Sequence, residues 1–237
     1  MIKIYLLDFS GADANRAYRT ALPSSIHSYI DKTGNDLLKR ERFFSYLLLS
    51  YAYEKEFSRA LPDIERDGYS RPYFACSCID FNISHDGEMA AAVLSDEGKV
   101  GIDIQLCQAE VSERLIKKTE KIYSEKIDCI KKKSRELEAE IAILRYSEKG
   151  EVTYCKGDII APLTETDFFL KWTQIEAISK ADGRGVSLFS RIDFDSDRFD
   201  LKSAKITDKN EKSYALSIAH KKSILNENRF FKITKAF

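Results

Sequence analysis

The sequence predicts an α+β fold made of two similar halves, each with helices followed by short strands. Three observations predict it. Apolar residues recur at helical spacing in two long stretches, residues 36–60 and 165–181. Short apolar runs bounded by glycine and polar residues indicate strands. The order of elements repeats along 237 residues, a length that suits one larger domain or two small ones.

The first half predicts one strand, two helices and then three strands. The opening run IKIYLL is a strand pattern, and the second helix begins at Asp36 after a break at residues 33–35. Asp86-Gly87 provides the turn between two of the later strands. The predicted strands are residues 2–7, 73–84, 88–95 and 100–104, and the predicted helices are residues 25–32 and 36–60.

The second half predicts a charged helical region over residues 110–145, then a hairpin, a strong helix and a strand-rich tail. The hairpin pairs residues 142–146 with residues 152–155 around Glu148-Lys149-Gly150. The helix covers residues 165–181. The strand-like runs of the tail are residues 186–192, 201–206, 213–219 and 230–235.

The composition excludes several classes of protein. Thirty-eight basic residues balance 38 acidic ones, so no global charge favours nucleic acid. The odd count of five cysteines does not fit a secreted disulfide framework, and reduced thiols are expected. Cys76 and Cys78 form a C-x-C pair that strand alternation explains as well as metal binding. We find neither a signal peptide nor an apolar run long enough for a membrane span, and expect a cytoplasmic protein.

Three short stretches carry candidate chemistry. In Asn82-Ile83-Ser84-His85, the histidine at a strand end can present its imidazole to an anion. A structural histidine bonded to the turn backbone is the more common case. In Gly101-Ile102-Asp103, the glycine permits close backbone approach, and the carboxylate must point away from the flanking isoleucines. Such a carboxylate requires a salt bridge or a metal ion, and both interpretations stay open.

The third stretch runs from Trp172 to Lys180 and is followed by Gly183-Arg184-Gly185. Glu176 and Lys180 lie four residues apart and therefore share one face of the helix. By default, an isolated pair of this kind is a surface ion pair that stabilises the helix by about 0.2–0.5 kcal/mol. The glycine pair marks the end of the helix and a close backbone approach.

In this order, the three stretches resemble the 4'-phosphopantetheinyl transferase superfamily in its larger two-lobed, monomeric (Sfp-type) form. That family has a serine-histidine stretch, a glycine-x-aspartate strand and a tryptophan-containing helix with glutamate and lysine before a glycine pair. Arg71-Pro72 resembles the basic residue and proline upstream of the histidine. The matches extend from about residue 68 to residue 186.

The resemblance implies an active site at the junction of two lobes that form a pseudo-dimer, each with a small, mostly antiparallel sheet. The lobes are expected at residues 1–102 and 103–237, with an insertion at about residues 131–160. The activity implied is transfer of phosphopantetheine from coenzyme A to a serine of an apo acyl or peptidyl carrier protein. Mg²⁺ is the implied cofactor.

The resemblance also implies a role for each matched residue. The implied metal ligands are Asp103, Glu176 and Gln105, and the implied catalytic residues are Glu176, Lys180 and Asp103. Glu176 is the implied base, directly or through a water molecule. The residues implied to bind coenzyme A are Arg71, Ser84, His85, Lys180, Arg42, Arg40 and Lys39, although solvated helix-face charge is equally consistent with the last three.

Residues 117–133 hold seven lysines and only three acidic residues. This region is a candidate surface for the acidic helix of a carrier protein, and a solvated basic face is the rival interpretation. This region lacks the interleaved aromatic residues typical of nucleic-acid binding, so a nucleic-acid-binding role is not expected.

Two departures from the family pattern are Ile175, where lysine is usual, and Gln105, where glutamate is common. Ile175 removes one cation, which leaves open a catalytically impaired paralogue that binds coenzyme A as a binding or scaffolding protein.

Overall fold

The computed structural model describes residues 1–12, 22–75, 77–107, 110–127, 140–147, 152–154, 160–161, 168–185 and 196–222. Within these ranges the chain is a mixed α and β protein with small sheets and four α-helices. The predicted class is confirmed at that level. No helix among the described residues has both the length and the apolar character required to cross a membrane.

The elements follow the chain in this order: β1 Ile2–Asp8, α1 Ser24–Asp31, α2 Asp36–Phe57, β2 Ile64–Arg66, β3 Pro72–Phe74, β4 Asp80–Asp86, β5 Met89–Ser95, β6 Gly98–Leu106, α3 Glu113–Ile122, β7 Glu140–Tyr146, β8 Val152–Tyr154, β9 Ile160–Ala161, α4 Phe168–Asp182, β10 Phe199–Thr207 and β11 Ser213–Lys222. A π-helical turn, Tyr123–Ile127, continues α3, and a 3-10 turn, Ser196–Arg198, precedes β10.

The strands form two main sheets and one small one. The first sheet has the order β4-β5-β1-β7-β8, the second has the order β6-β11-β10-β9, and β2 pairs with β3. All pairs are antiparallel except β1 with β7. The β7–β8 hairpin comes from the region expected to be an insertion, and it extends the first sheet beyond β1. The expected lobe boundary between residues 102 and 103 falls inside β6.

Alternating side chains divide the core into layers. Tyr5 and Leu7 of β1 pack with α1 and α2 on one face of the first sheet. Ile4 and Leu6 of the same strand pack against the second sheet. A third cluster joins the far face of the second sheet to α3 and α4. β5 is buried along its whole length, as its apolar sequence MAAAVLS requires.

Local signals explain the ends of α2. Asn35 caps its first turn, since the side chain accepts a hydrogen bond of 3.0 Å from the Leu38 N–H. Ser58 adopts a left-handed conformation with φ of 52° and donates its N–H to the Glu54 carbonyl. The helix therefore ends at Phe57, three residues before the predicted end.

Most predicted elements are confirmed within the described residues, including the opening strand, both long helices and the hairpin. The prediction of one strand over residues 73–84 is wrong. The strand is interrupted because the Ser77 hydroxyl accepts a hydrogen bond from the Ile79 N–H, which forms a local turn. Cys78 lies in this interruption, so strand alternation does not explain the C-x-C spacing. Cys76 lies outside the described residues.

The predicted helical region over residues 110–145 overlaps the predicted hairpin strand over residues 142–146, and the strand prediction is the correct one there, because residues 140–145 belong to β7 and pair with β1. The pairing of these residues with the buried strand β1 outweighs the helical pattern of charged residues in this region. The predicted strand runs at residues 186–192 and 230–235 lie outside the described residues.

A ladder of side chains joins the edges of the two main sheets. Asp80, Asn82, Ser84 and Asp86 of β4 each accept a hydrogen bond from an N–H group of β6. The four donors are Val100, Ile102, Ile104 and Leu106, each 20 residues after its acceptor. This ladder satisfies edge N–H groups that would otherwise be unpaired. It also places the polar face of β4 beside Asp103.

Candidate functional site

Gly101 allows α4 to lie directly on β6. A Cβ atom at this position would lie 2.0 Å from the Ala177 carbonyl oxygen and 2.5 Å from the Ala181 nitrogen. Both atoms belong to the α4 backbone, so no other residue fits without moving the helix. Asp103 lies two residues further along the same face of β6. The close contact therefore brings the last turns of α4 against Asp103.

Asp103 is the centre of a buried polar cluster. Its side chain is 9% exposed, and Oδ1 lies 2.6 Å from the Lys180 ammonium nitrogen. The Ser84 hydroxyl donates to the same oxygen at 2.9 Å. Lys180 also donates to the Ile102 carbonyl at 3.0 Å and to Ser84 Oγ at 3.2 Å. The default interpretation of Glu176 and Lys180 as a surface ion pair is therefore wrong, because Lys180 pairs with Asp103 instead.

Glu176 lies in the same cavity as Asp103. Burial, together with the negative charge of Asp103, raises the pKa of its carboxyl group from 4.5 to about 7, against the opposing effect of Lys180. Two acids held together at a buried site repel each other unless a cation or a proton intervenes. This pair is consequently well suited to a divalent cation.

Gln105 and Asp86 form a second polar contact beside this pair. The Gln105 amide nitrogen donates to Asp86 Oδ2, and the Leu106 N–H donates to the same oxygen at 2.6 Å. Burial raises the pKa of Asp86, and the nearby Glu41 and Asp103 act in the same direction. Because its nitrogen is committed to Asp86, Gln105 retains its amide oxygen as a neutral ligand.

His85 lines the cavity and pairs with an acid from α2. Its Nδ1 atom is buried and lies 3.3 Å from Glu41 Oε2, whose side chain is 12% exposed. The rest of the ring is partly exposed toward the cavity. A carboxylate beside Nδ1 favours the tautomer with the proton on that nitrogen.

The basic residues expected to bind coenzyme A differ in whether they line the cavity. Arg42 lines the cavity, with one guanidinium nitrogen donating to Thr33 Oγ1 at 2.6 Å. Arg40 donates to the carbonyl oxygens of Phe9 and Ala12. Neither Arg40 nor Lys39 lines the cavity.

Arg71 lines the cavity but is engaged in protein contacts. It forms a two-point ion pair with Asp80 at 2.8 and 2.7 Å. It also donates to carbonyl oxygens of β4, β6 and α4, at Phe81, Val100 and Lys180. Its geometry is that of a clamp which holds the two sheets and the end of α4 together.

The cavity has a volume of about 530 Å³ and receives side chains from α2, β4, β6 and α4. Eight of the ten residues expected at the site line it: Arg42, Arg71, Ser84, His85, Asp103, Gln105, Glu176 and Lys180. A volume of this size accommodates a ligand as large as a nucleotide.

Several residues of the cavity were not foreseen. Arg66 lies 4.2 Å from the centre of the Tyr29 ring and donates to the Tyr46 hydroxyl at 3.0 Å. Arg42 faces the same ring at 5.0 Å. No sequence signal unites these distant positions. Asp86, in contrast, had a signal in the alternation of polar residues along β4.

Ile175 is fully buried in the cluster that joins α4 to α3 and the second sheet. Its side chain therefore packs away from the acids of the cavity. A lysine here would place its charge among apolar side chains at a high cost. Within residues 117–127, the described part of the lysine-rich region, Lys117, Lys118 and Lys121 are exposed. Residues 128–133 lie outside the described ranges.

Comparison of the chain with known protein families and with curated proteins finds no match.

Proposed function

We propose that this protein is a Mg²⁺-dependent 4'-phosphopantetheinyl transferase, which moves phosphopantetheine from coenzyme A to a serine of an apo acyl or peptidyl carrier protein. The observation that carries the proposal is the convergence of Asp103, Glu176, Lys180 and His85 on one cavity. These residues come from three separate stretches of sequence, and each stretch resembles the corresponding family motif.

The proposal includes a two-lobed arrangement with the active site at the junction. One lobe consists of the first sheet with α1 and α2, and the other consists of the second sheet with α3 and α4. Support comes from the β4–β6 ladder, since the cavity opens where these two edges meet. Ser84 and His85 belong to one side, and Asp103 and Glu176 belong to the other.

The donor set fits a hard divalent cation. No group of three His, Cys, Asp or Glu side chains within the described ranges is close enough to hold a metal ion alone. Mg²⁺ commonly takes one or two carboxylates and completes its shell with phosphates and water. Asp103 and Glu176 would hold the ion with the Gln105 amide oxygen nearby. Bound there, Mg²⁺ would neutralise charge on the pyrophosphate of coenzyme A.

The side chains supply the remaining chemistry. The carrier serine Oγ forms a bond to the β-phosphorus of coenzyme A, while the bond from that phosphorus to the bridging oxygen breaks and 3',5'-ADP leaves. Glu176 accepts the serine proton directly or through a water molecule. Lys180 donates to the phosphate oxygens, and His85 and Arg42 hold the departing 3',5'-ADP.

The exposed lysines of α3 are proposed as rim contacts for the acidic helix of the carrier. We further propose that the protein acts as a cytoplasmic monomer. A paralogue that binds coenzyme A without transfer was considered because of Ile175. That residue packs in the core rather than in the cavity, so its identity gives no support to an impaired site.

The test is an incubation of the protein with coenzyme A, Mg²⁺ and several apo carriers, followed by intact mass measurement of each carrier. A gain of one phosphopantetheine is expected. Asp103→Asn keeps the shape of the side chain and is expected to reduce the rate by about 10²-fold or more. Binding of coenzyme A without any mass gain on any carrier would support the paralogue instead.

A further inference from the structure

We infer that Ser84 is a positioning residue that orients Asp103, and that its hydroxyl does not contact coenzyme A. The inference rests on the proposed function, since it assigns a role within the same site. It departs from the expectation that Ser84 binds coenzyme A together with His85.

The hydroxyl of Ser84 has no bonding capacity left. A serine hydroxyl has one donor and two acceptor positions. Ser84 donates to Asp103 Oδ1 at 2.9 Å, and it accepts from Lys180 Nζ at 3.2 Å and from the Ile104 N–H at 3.4 Å. The residue is also 7% exposed. A contact with a ligand would require one of these three bonds to break.

The bonds of Ser84 distinguish the two oxygens of Asp103. Oδ1 accepts from both Ser84 and Lys180. Among the residues that the structure describes, no donor contacts Oδ2. Ser84 and Lys180 thus fix the plane of the carboxylate and leave Oδ2 as the oxygen available to a cation in the cavity. Partners that orient a ligand in this way commonly change metal affinity about 10- to 100-fold when removed.

Asn82 provides a matched control. It occupies the preceding rung of the ladder, where its side chain accepts a hydrogen bond of 3.0 Å from the Ile102 N–H. Asn82→Ala and Ser84→Ala each leave one β6 N–H without its side-chain acceptor. Only Ser84→Ala removes a bond to Asp103. Any effect of a weakened ladder should therefore appear in both variants.

The experiment measures Mn²⁺ binding by electron paramagnetic resonance, without and with saturating coenzyme A, for the wild-type chain and both alanine variants. Coenzyme A binding is measured separately by calorimetry in EDTA. Ser84→Ala is expected to weaken Mn²⁺ binding about 10- to 100-fold, with coenzyme A affinity in EDTA within twofold of wild type. Asn82→Ala is expected to retain wild-type Mn²⁺ affinity. Ser84→Thr, which keeps the hydroxyl, is expected to restore most of the Mn²⁺ affinity.

Three outcomes would overturn the inference. Unchanged Mn²⁺ affinity in Ser84→Ala with weaker coenzyme A binding would assign the hydroxyl to the substrate. Equal loss of Mn²⁺ affinity in Ser84→Ala and Asn82→Ala would show that the Ser84 hydroxyl acts only as an acceptor in the ladder. In both cases a wild-type chain that modifies carriers keeps the proposed function intact. A wild-type chain that neither binds Mn²⁺ nor modifies any carrier would overturn both proposals.

Discussion

Replacement of Gly101 by alanine tests whether the close contact between α4 and β6 assembles the site. The added Cβ would lie 2.0 Å from the Ala177 carbonyl oxygen, whereas real Cβ contacts essentially never fall below 3.0 Å. The helix must therefore retreat by about 1 Å, the difference between these two distances. The obstructing atoms are backbone, so no side-chain rotation relieves the clash.

A shift of this size separates Glu176 and Lys180 from Asp103. A displacement of about 1 Å at a catalytic site commonly costs about 10²-fold in rate. Overpacking of the interface is expected to lower the free energy of unfolding by about 1–3 kcal/mol. We therefore expect Gly101→Ala to fold at reduced stability and to modify a carrier about 10²-fold more slowly.

The measurements are the initial rate of carrier modification by intact mass and the free energy of unfolding from urea titration. Gly34→Ala is the matched control, because a Cβ at that position has no atom within 4 Å. It is expected to retain both the rate and the stability. A Gly101→Ala variant with wild-type rate and stability would refute the argument that this contact builds the site.

Three further predictions concern charged residues in and around the cavity. Burial raises the pKa of Glu176 from 4.5 to about 7, so the folded chain binds this proton more tightly than the unfolded chain. In EDTA, the free energy of unfolding is expected to fall by on the order of 3 kcal/mol as the pH rises from 4.5 to 7. Glu176→Gln should remove that part of the dependence in urea titrations, and an identical pH profile would contradict the assignment. Arg71→Lys loses the two-point pair with Asp80 and is expected to destabilise the fold by about 2 kcal/mol; weaker coenzyme A binding at unchanged stability would instead make Arg71 a ligand contact. Arg42→Ala should weaken coenzyme A binding about tenfold or more in calorimetry, whereas Lys39→Ala should not, because only Arg42 lines the cavity; equal effects would show that the cavity is incorrectly assigned.

Much of the secondary structure could be predicted from local patterns, because capping and periodicity act within a few residues. The start of α2 at Asp36 and the alternation of buried and partly buried residues along β10 are examples. The parallel pairing of β7 with β1 could not be predicted. It joins strands more than 130 residues apart in the sequence, and both strands have apolar patterns that many partners would satisfy.

The candidate site was foreseen better than the contacts inside it. The acids and Lys180 stood out because charged residues interrupt apolar elements at fixed spacing. Their partners did not stand out. A helix predicts that Glu176 faces Lys180, but burial beside β6 gives Lys180 a closer partner in Asp103. Arg71 and Arg42 both line the cavity, and only packing shows that the guanidinium of Arg71 is engaged by Asp80 and by backbone carbonyl groups.

The polar residues of β4 show where sequence analysis could have gone further. Residues 80–86 read DFNISHD, with a polar side chain at every second position on the face that meets β6. Such a stripe, on a strand whose other face carries Phe81 and Ile83, indicates an edge that bonds to its neighbour through side chains rather than through its own backbone. The rungs hold Asp80 against Arg71, Ser84 against Asp103 and Asp86 against Gln105. These three side chains therefore both join the two sheets and orient residues of the cavity, so the stability of the junction and the geometry of the site should change together when one of these three rungs is removed.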